Sequence, residues 1–345
     1  MRRRMLAVVA LVCAGISTVS CSSGSPGPVE GDASPTSLAR QPYPAFLDSE
    51  ARAAVAYRDT LRPLDPCGFL DEGAVRSIGA PDYFGADGGF DQCSVKFRNP
   101  VGAKSIVGVG VAMGPGGPAT YGTPVPVGGT TVRVHDSGDF CTAYLRFDDR
   151  VTLRFSVTTK GDFLGRAPRV DLCPEAASIA AAAVPHLAER PLRSESTRAH
   201  MNTKLARLDP CAVVDVIARD HPHPWVNPLP TPWSCNLQLD YGVDSTSRHI
   251  DFAYVSDASL TRSPGSNEIA SRIMDLPSLE EPGSRGTRWS DTCQLHVGTD
   301  PTWTPTKGTH TRKTEVISVS TPAGGCDAAR AVATEVVRLY KQLPN

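Results

Sequence analysis

No Gly-x-Ser-x-Gly elbow, His-Glu-x-x-His helix, phosphate loop ending in Gly-Lys-Ser/Thr or Cys-x-x-Cys pair occurs in the 345 residues. Each of those signatures sets a nucleophile, a metal or a phosphate cradle at a fixed spacing, so their absence counts against an enzyme of the common classes. A basic surplus is missing too. The 35 Lys and Arg residues fall to 32, against 36 acidic ones, once Arg2, Arg3 and Arg4 are set aside. That balance gives no support for nucleic acid as a partner through a positive face. Beyond the first 20 residues there is also no apolar run of the ~20 residues that a permanent membrane-spanning helix requires.

What the chain does have begins at its start. Arg2, Arg3 and Arg4 precede an uncharged run of apolar and small residues from Met5 to Val19, the pattern of a signal peptide over residues 1–20. Thr18-Val19-Ser20-Cys21 then gives way abruptly to Ser22-Ser23-Gly24-Ser25-Pro26-Gly27-Pro28. This resembles the bacterial lipoprotein signal, which implies acylation of Cys21 and attachment to the membrane through an N-terminal lipid. Residues 21–44 carry Ser, Gly and Pro and almost no large apolar side chain, so they are expected to form a disordered tether. The expected location is extracytoplasmic, anchored to the cell membrane.

The ten cysteines organise the rest. Cys13 lies in the signal segment and Cys21 at the anchor, which leaves two sets of four: Cys67, Cys93, Cys141, Cys173 and Cys211, Cys235, Cys293, Cys326. Both sets open on the same words, Leu64-Asp65-Pro66-Cys67 and Leu208-Asp209-Pro210-Cys211. An even cysteine set repeated inside an exported chain is a disulfide framework. Four cysteines allow three pairings. Short loops and the repeat favour first with second and third with fourth in each set, each bridge contributing ~3–4 kcal/mol by chain entropy. The reading is an internal repeat, residues 45–189 and 190–345, each long enough for a core of its own.

Asp65-Pro66 and Asp209-Pro210 have the form of helix starts, an acceptor side chain followed by proline. Residues 46–61 read as helical, and Arg193 to Leu205 is expected to match them. Cys93-Ser94-Val95-Lys96-Phe97, Cys235-Asn236-Leu237-Gln238-Leu239, Val151 to Thr158 and Val316 to Ser320 alternate as half-buried strands do. Ile179, Ala183 and Leu187, and likewise Val332, Val336, Leu339, Tyr340 and Leu343, recur at helical spacing after the fourth cysteines. The expected fold is therefore α+β: two tandem disulfide-stapled modules, each an antiparallel sheet between an opening and a closing helix.

With the lipoprotein-like start, the doubled Asp-Pro-Cys words and the late Cys173 and Cys326 before helices, the chain resembles actinobacterial cell-envelope lipoproteins of a domain-of-unknown-function type. It is more loosely similar to the extracellular sensor domain of PknH-type receptor kinases. The resemblance implies a stapled α+β module with a groove that binds a ligand or partner, and it carries over no catalytic residue.

Candidate sites are few. His135-Asp136-Ser137-Gly138-Asp139 holds three triad residue types, but adjacent side chains diverge, so a strand-ending turn is expected. Gly108, Gly110 and Gly114 alternate with Val107, Val109 and Val111 and mark a strand face with close packing rather than a dinucleotide fingerprint. His221-Pro222-His223 lacks a third ligand, and no metal or cofactor is implied. The proline-braced stretch around Trp225 and Trp233 either presents its indoles to a ligand or packs them inward. Since Trp225, Trp233, Trp289 and Trp303 all fall in the second half, that half is the expected binder, with Trp225, Trp233 and Trp303 as its candidate residues. Residues 257–290 read as a long loop whose Arg262, Glu268, Arg272, Glu280, Glu281, Arg285 and Arg288 face solvent. The functional expectation is non-catalytic binding of a small ligand or an envelope partner. A hydrolase or transferase acting on envelope glycans or lipids, and a structural scaffold, are the alternatives.

Overall fold

A computed structural model describes residues 47–116, 121–160, 170–221, 223–227, 231–256, 260, 264–265, 267–284, 291–303 and 312–344. Cys21 and residues 22–44, the expected anchor and tether, lie outside the described residues, as does Trp289. The first helix, α1 (Ser49–Leu61), begins where the Asp48 carboxylate accepts from the Ala51 N–H at 2.8 Å. It buries Ala54, Val55, Arg58 and Leu61. The Asp-Pro-Cys words do not start long helices. They close single 3₁₀ turns, Pro66–Phe69 and Pro210–Val213, in which Asp65 and Asp209 accept from the Cys67 and Cys211 N–H groups at 2.8 and 3.0 Å. Short helices α2 (Glu72–Ile78), α3 (Cys173–Ala182), α4 (Val184–Glu189) and α5 (Val214–Ile217) and the long α6 (Gly325–Gln342) complete the helical part.

Strands β1 (Tyr83–Gly85), β2 (Gly88–Gly89), β3 (Gln92–Val101), β4 (Ile106–Pro115), β5 (Thr123–Val127), β6 (Thr130–Asp136), β7 (Phe140–Arg146) and β8 (Val151–Thr159) come from the first half. The second supplies β9 (Trp225–Val226), β10 (Ser234–Gln238), β11 (Ser247–Ser256), β12 (Ile269–Ile273), β13 (Leu276–Pro282), β14 (Cys293–Trp303) and β15 (Lys313–Thr321). Two antiparallel sheets result, ordered β1-β3-β4-β8-β7-β6-β5 and β9-β10-β11-β15-β14-β13-β12. Both therefore follow one path: three strands laid in sequence, then the last four in reverse. The bridges match as well. Cys67–Cys93 and Cys211–Cys235 tie each 3₁₀ turn to a strand, while Cys141–Cys173 and Cys293–Cys326 tie a strand to α3 and to α6. Four disulfides belong to an oxidising, extracytoplasmic setting. Among the described residues no helix is long and apolar enough to cross a membrane.

The halves do not keep separate cores. One buried cluster runs from Val95, Val111 and Phe155 of the first sheet, through Phe90, to Phe252, Leu295 and Val319 of the second. β2 pairs with Ala253 and Tyr254 of β11, just beyond the stretch that β10 covers, so a first-half strand extends the second sheet. Phe90 then stacks on Tyr254 with ring centroids 4.3 Å apart. Asp87 holds Lys96 of β3 at 2.5 Å and Lys313 of β15 at 2.8 Å. Burial alone would raise Asp87, but these two ammonium groups keep it below its ordinary value.

Two expectations about elements need correction. Residues 193–205 are not a second copy of α1: they form only 3₁₀ turns at Arg193–Glu195 and Leu205–Arg207 around an extended stretch. That stretch bridges Gly85 through Ala199, and its Arg193 is drawn into the seam between the sheets. Nor are residues 257–290 simply a loop. β12 and β13 form a hairpin whose Met274 and Asp275 take φ of 46° and 72°, the left-handed pair of a two-residue turn. Within it Glu280 is 0% exposed and ion-paired with Arg330 of α6 at 2.5 Å, so it does not face solvent.

Candidate functional site

Period-two alternation gives the second sheet two chemically different faces. Cys235, Ile250, Val319 and Leu295 point to the core, where α6 packs on β14 and β15. The neighbouring residue on each strand points the other way. Asn236 pairs with His249, His249 with Ser320, Ser320 with Gln294 and Gln294 with Glu281, so one row of polar side chains crosses five strands. A parallel row sets Trp225 beside Gln238 and Gln238 beside Ser247. Together they floor an open groove of about 740 Å³, rimmed by Pro282, Gly283, Thr292 and Pro322. That size falls within the ~300–1,000 Å³ range of ligand sites.

The electrostatics of the groove are quiet. His249 Nδ1 contacts Asn236 Oδ1, and an amide oxygen only accepts, so Nδ1 carries the proton and Nε2 is left as an acceptor. Burial lowers the His249 pKa, which keeps the ring neutral. The Arg248 guanidinium, lowered by burial, donates through Nη1 to the carbonyls of Ser247 at 2.8 Å and Ser245 at 3.4 Å. Glu281 supplies a carboxylate at the opposite edge. Trp225 closes one end against Tyr241, ring centroids 5.8 Å apart and Tyr241 67% exposed. A bond from the Tyr241 N–H to the His223 carbonyl, 2.8 Å, holds the tyrosine beside β9.

The three candidate tryptophans thus part company. Trp225 lines the groove. Trp233 does not: it is 3% exposed, donates from Nε1 to the Ala206 carbonyl at 3.2 Å, and lies beneath the Arg193 guanidinium at 4.4 Å from the ring centroid. It is a core residue, because a carbonyl and a cation both reach it inside the seam. Trp303 pairs through its backbone with Lys313, and its side chain lies outside the described residues. His221 pairs with Asp240 at 3.1 Å, and Pro222 lies outside the described residues. The His135–Asp139 segment joins β6 to β7 as a turn, where the Gly138 N–H donates to Asp136 at 2.8 Å.

No family model, curated protein or solved structure matches this chain. What the groove can do follows from its own side chains, and most of these went unsingled in the sequence. Asn236, Gln238, His249, Gln294 and Ser320 register there only as the polar partners in alternating strands. The repeat held one further signal. By register the same row in the first sheet is Ser94, Gly110, Ser156, Thr142 and His135, so amide side chains stand at equivalent positions in the second half alone.

One more constellation lies next to the row. His296 Nδ1 is 2.8 Å from Ser318 Oγ, and Asp251 pairs with Ser318 from the other side. Burial, and then the charge of Asp91, pushes Asp251 up to about 7. Serine is central here, whereas a hydrolytic triad needs the histidine between serine and carboxylate.

Proposed function

We propose that the chain is a lipid-anchored extracytoplasmic binding protein, held by an acyl group on Cys21 through the tether of residues 21–44. It takes a small ligand or an envelope component in the groove of its second half. Each half is one copy of a unit with a sheet between an Asp-Pro-Cys turn and a closing helix, and the second copy has acquired the binding face. The observation that carries this is the row Asn236–His249–Ser320–Gln294–Glu281 beside Trp225, a floor of hydrogen-bonding groups ended by an aromatic wall.

Intact-mass analysis of the protein solubilised from its native envelope tests both parts. The expected mass is that of the chain from Cys21 with added acyl groups, and a noncovalent adduct that Gln294→Ala loses. An unmodified Cys21 would remove the anchor. An adduct unchanged by groove substitutions would remove the site.

The Ser318–His296 contact favours a second reading, a hydrolase acting on envelope glycans or lipids. Labelling of Ser318 by a fluorophosphonate is the outcome that would favour it, and an inert Ser318 would end it.

A further inference from the structure

We infer that the groove of the second sheet is a subsite for a neutral oligosaccharide. This rests on the binding reading above and names the ligand class.

Four observations converge. Asn236, Gln238 and Gln294 carry amides, which both donate and accept; Ser247 and Ser320 carry hydroxyls that do the same; His249 offers Nε2 as an acceptor. A sugar hydroxyl is likewise donor and acceptor at once, so a mixed floor satisfies it where a purely basic or purely acidic floor would not. Second, these groups sit on neighbouring strands in two parallel register rows, and strands lie about 4.8 Å apart. That spacing is close to the length each pyranose ring adds to an extended glycan, so successive sugars meet successive polar residues. Third, Trp225 and the exposed ring of Tyr241 stand at the β9 end of the Gln238–Ser247 row, where an aromatic face covers the apolar C–H side of a sugar ring. Fourth, charge is nearly absent: Arg248 is engaged with the Ser245 and Ser247 carbonyls, and Glu281 is the carboxylate at the far edge. A phosphate or sulfate ester would find one partly committed cation and a repelling anion. A lipid tail would find a floor it would have to desolvate.

The first sheet is an internal control. Its equivalent row has the short side chains of Ser94, Ser156 and Thr142 around Gly110 and therefore lacks the amide pairs.

The test uses the full-length chain in detergent micelles, with the tryptophan indoles isotope-labelled. The probes are neutral oligosaccharides released from the envelope, trimers of N-acetylglucosamine and of mannose, inorganic phosphate, and a palmitate-doped micelle. A neutral oligosaccharide should saturably shift the Trp225 indole N–H resonance. Trp225→Ala and the exposed Gln294→Ala should each weaken that sugar at least tenfold, and Thr142→Ala should leave it unchanged. If phosphate or palmitate shifts Trp225 and no sugar does, the ligand class is overturned while the groove remains the site. If no probe shifts Trp225 and the adduct carried from the envelope is indifferent to Gln294→Ala, the groove reading falls with it.

Discussion

Glu315 is a carboxyl with 0% exposure, facing Thr299 at 3.5 Å across the ladder, and its Oε1 has no hydrogen-bond partner among the described residues. Burial raises it from 4.5 to about 7, and hydrogen bonds from Thr203 and Thr299 and the nearby Arg193 offset only part of that. The native state therefore holds a proton that the unfolded chain releases between pH 4.5 and about 7, so stability falls as pH rises through that window. Glu315→Gln should leave stability near pH 4 almost unchanged and raise it at pH 8 by up to roughly 3 kcal/mol. Asp251, raised from 3.8 to about 7, would keep a residual slope over the same range. Denaturant midpoints at the two pH values check this; a variant no more stable than native at pH 8 would mean that Glu315 is not a neutral buried acid. Individual residues also mark the limit of what the chain disclosed in advance. Trp225 and Trp233 sit in the same proline-rich stretch with no periodicity to separate them, and the Ala206 carbonyl and the Arg193 cation that bury one of them arrive from another part of the chain.

Elements with strong local signals were legible. The repeated cysteine order and the alternation of Val151–Thr158 and Val316–Ser320 anticipate the bridges and the central strands, because each alternation is complete within one short run and the bridge partners, 32 and 33 residues apart, recur in the same order in both halves. The β12–β13 hairpin escaped notice because its turn is Met274–Asp275 rather than the Asn-Gly or Asp-Gly that announces a tight hairpin, and its strands are short. The polar row of the groove escaped for a different reason. Its members are 236, 249, 281, 294 and 320 in the sequence, and only the pairing register brings them into line. That hairpin is held to α6 by the Glu280–Arg330 pair, in which Arg330 Nε and Nη2 donate to the two carboxylate oxygens at 2.8 and 2.5 Å. Burial alone would raise Glu280, but the Arg330 guanidinium and the Ser271 hydroxyl keep it below its ordinary value. Arg330→Ala leaves a buried anion without its cation and should destabilise by roughly 2–3 kcal/mol, whereas Arg330→Leu with Glu280→Leu should recover most of that. A single variant within experimental error of native in thermal melting would show that the pair contributes nothing.

For the molecule as a whole, the seam decides how the two halves behave. Calorimetry of residues 45–345 should give one cooperative transition, since Phe90, Arg193 and Trp233 belong to a core common to both sheets. Residues 45–189 made alone should expose Phe90 and the bare Gly88–Gly89 edge and aggregate, despite retaining both of their disulfides. Two resolved transitions, or a monomeric and fully folded first half, would reverse that expectation.

The short β2 strand also has a bearing on the order of folding. A polypeptide is synthesised from its N-terminal end, so Gly88–Gly89 and Phe90 emerge well before the Ala253 and Tyr254 backbone that receives them. The earlier half must therefore wait in an incomplete state until most of the later half has been delivered. Its sulfur bridges, each closed within that half, are what can keep the waiting chain close to its final shape.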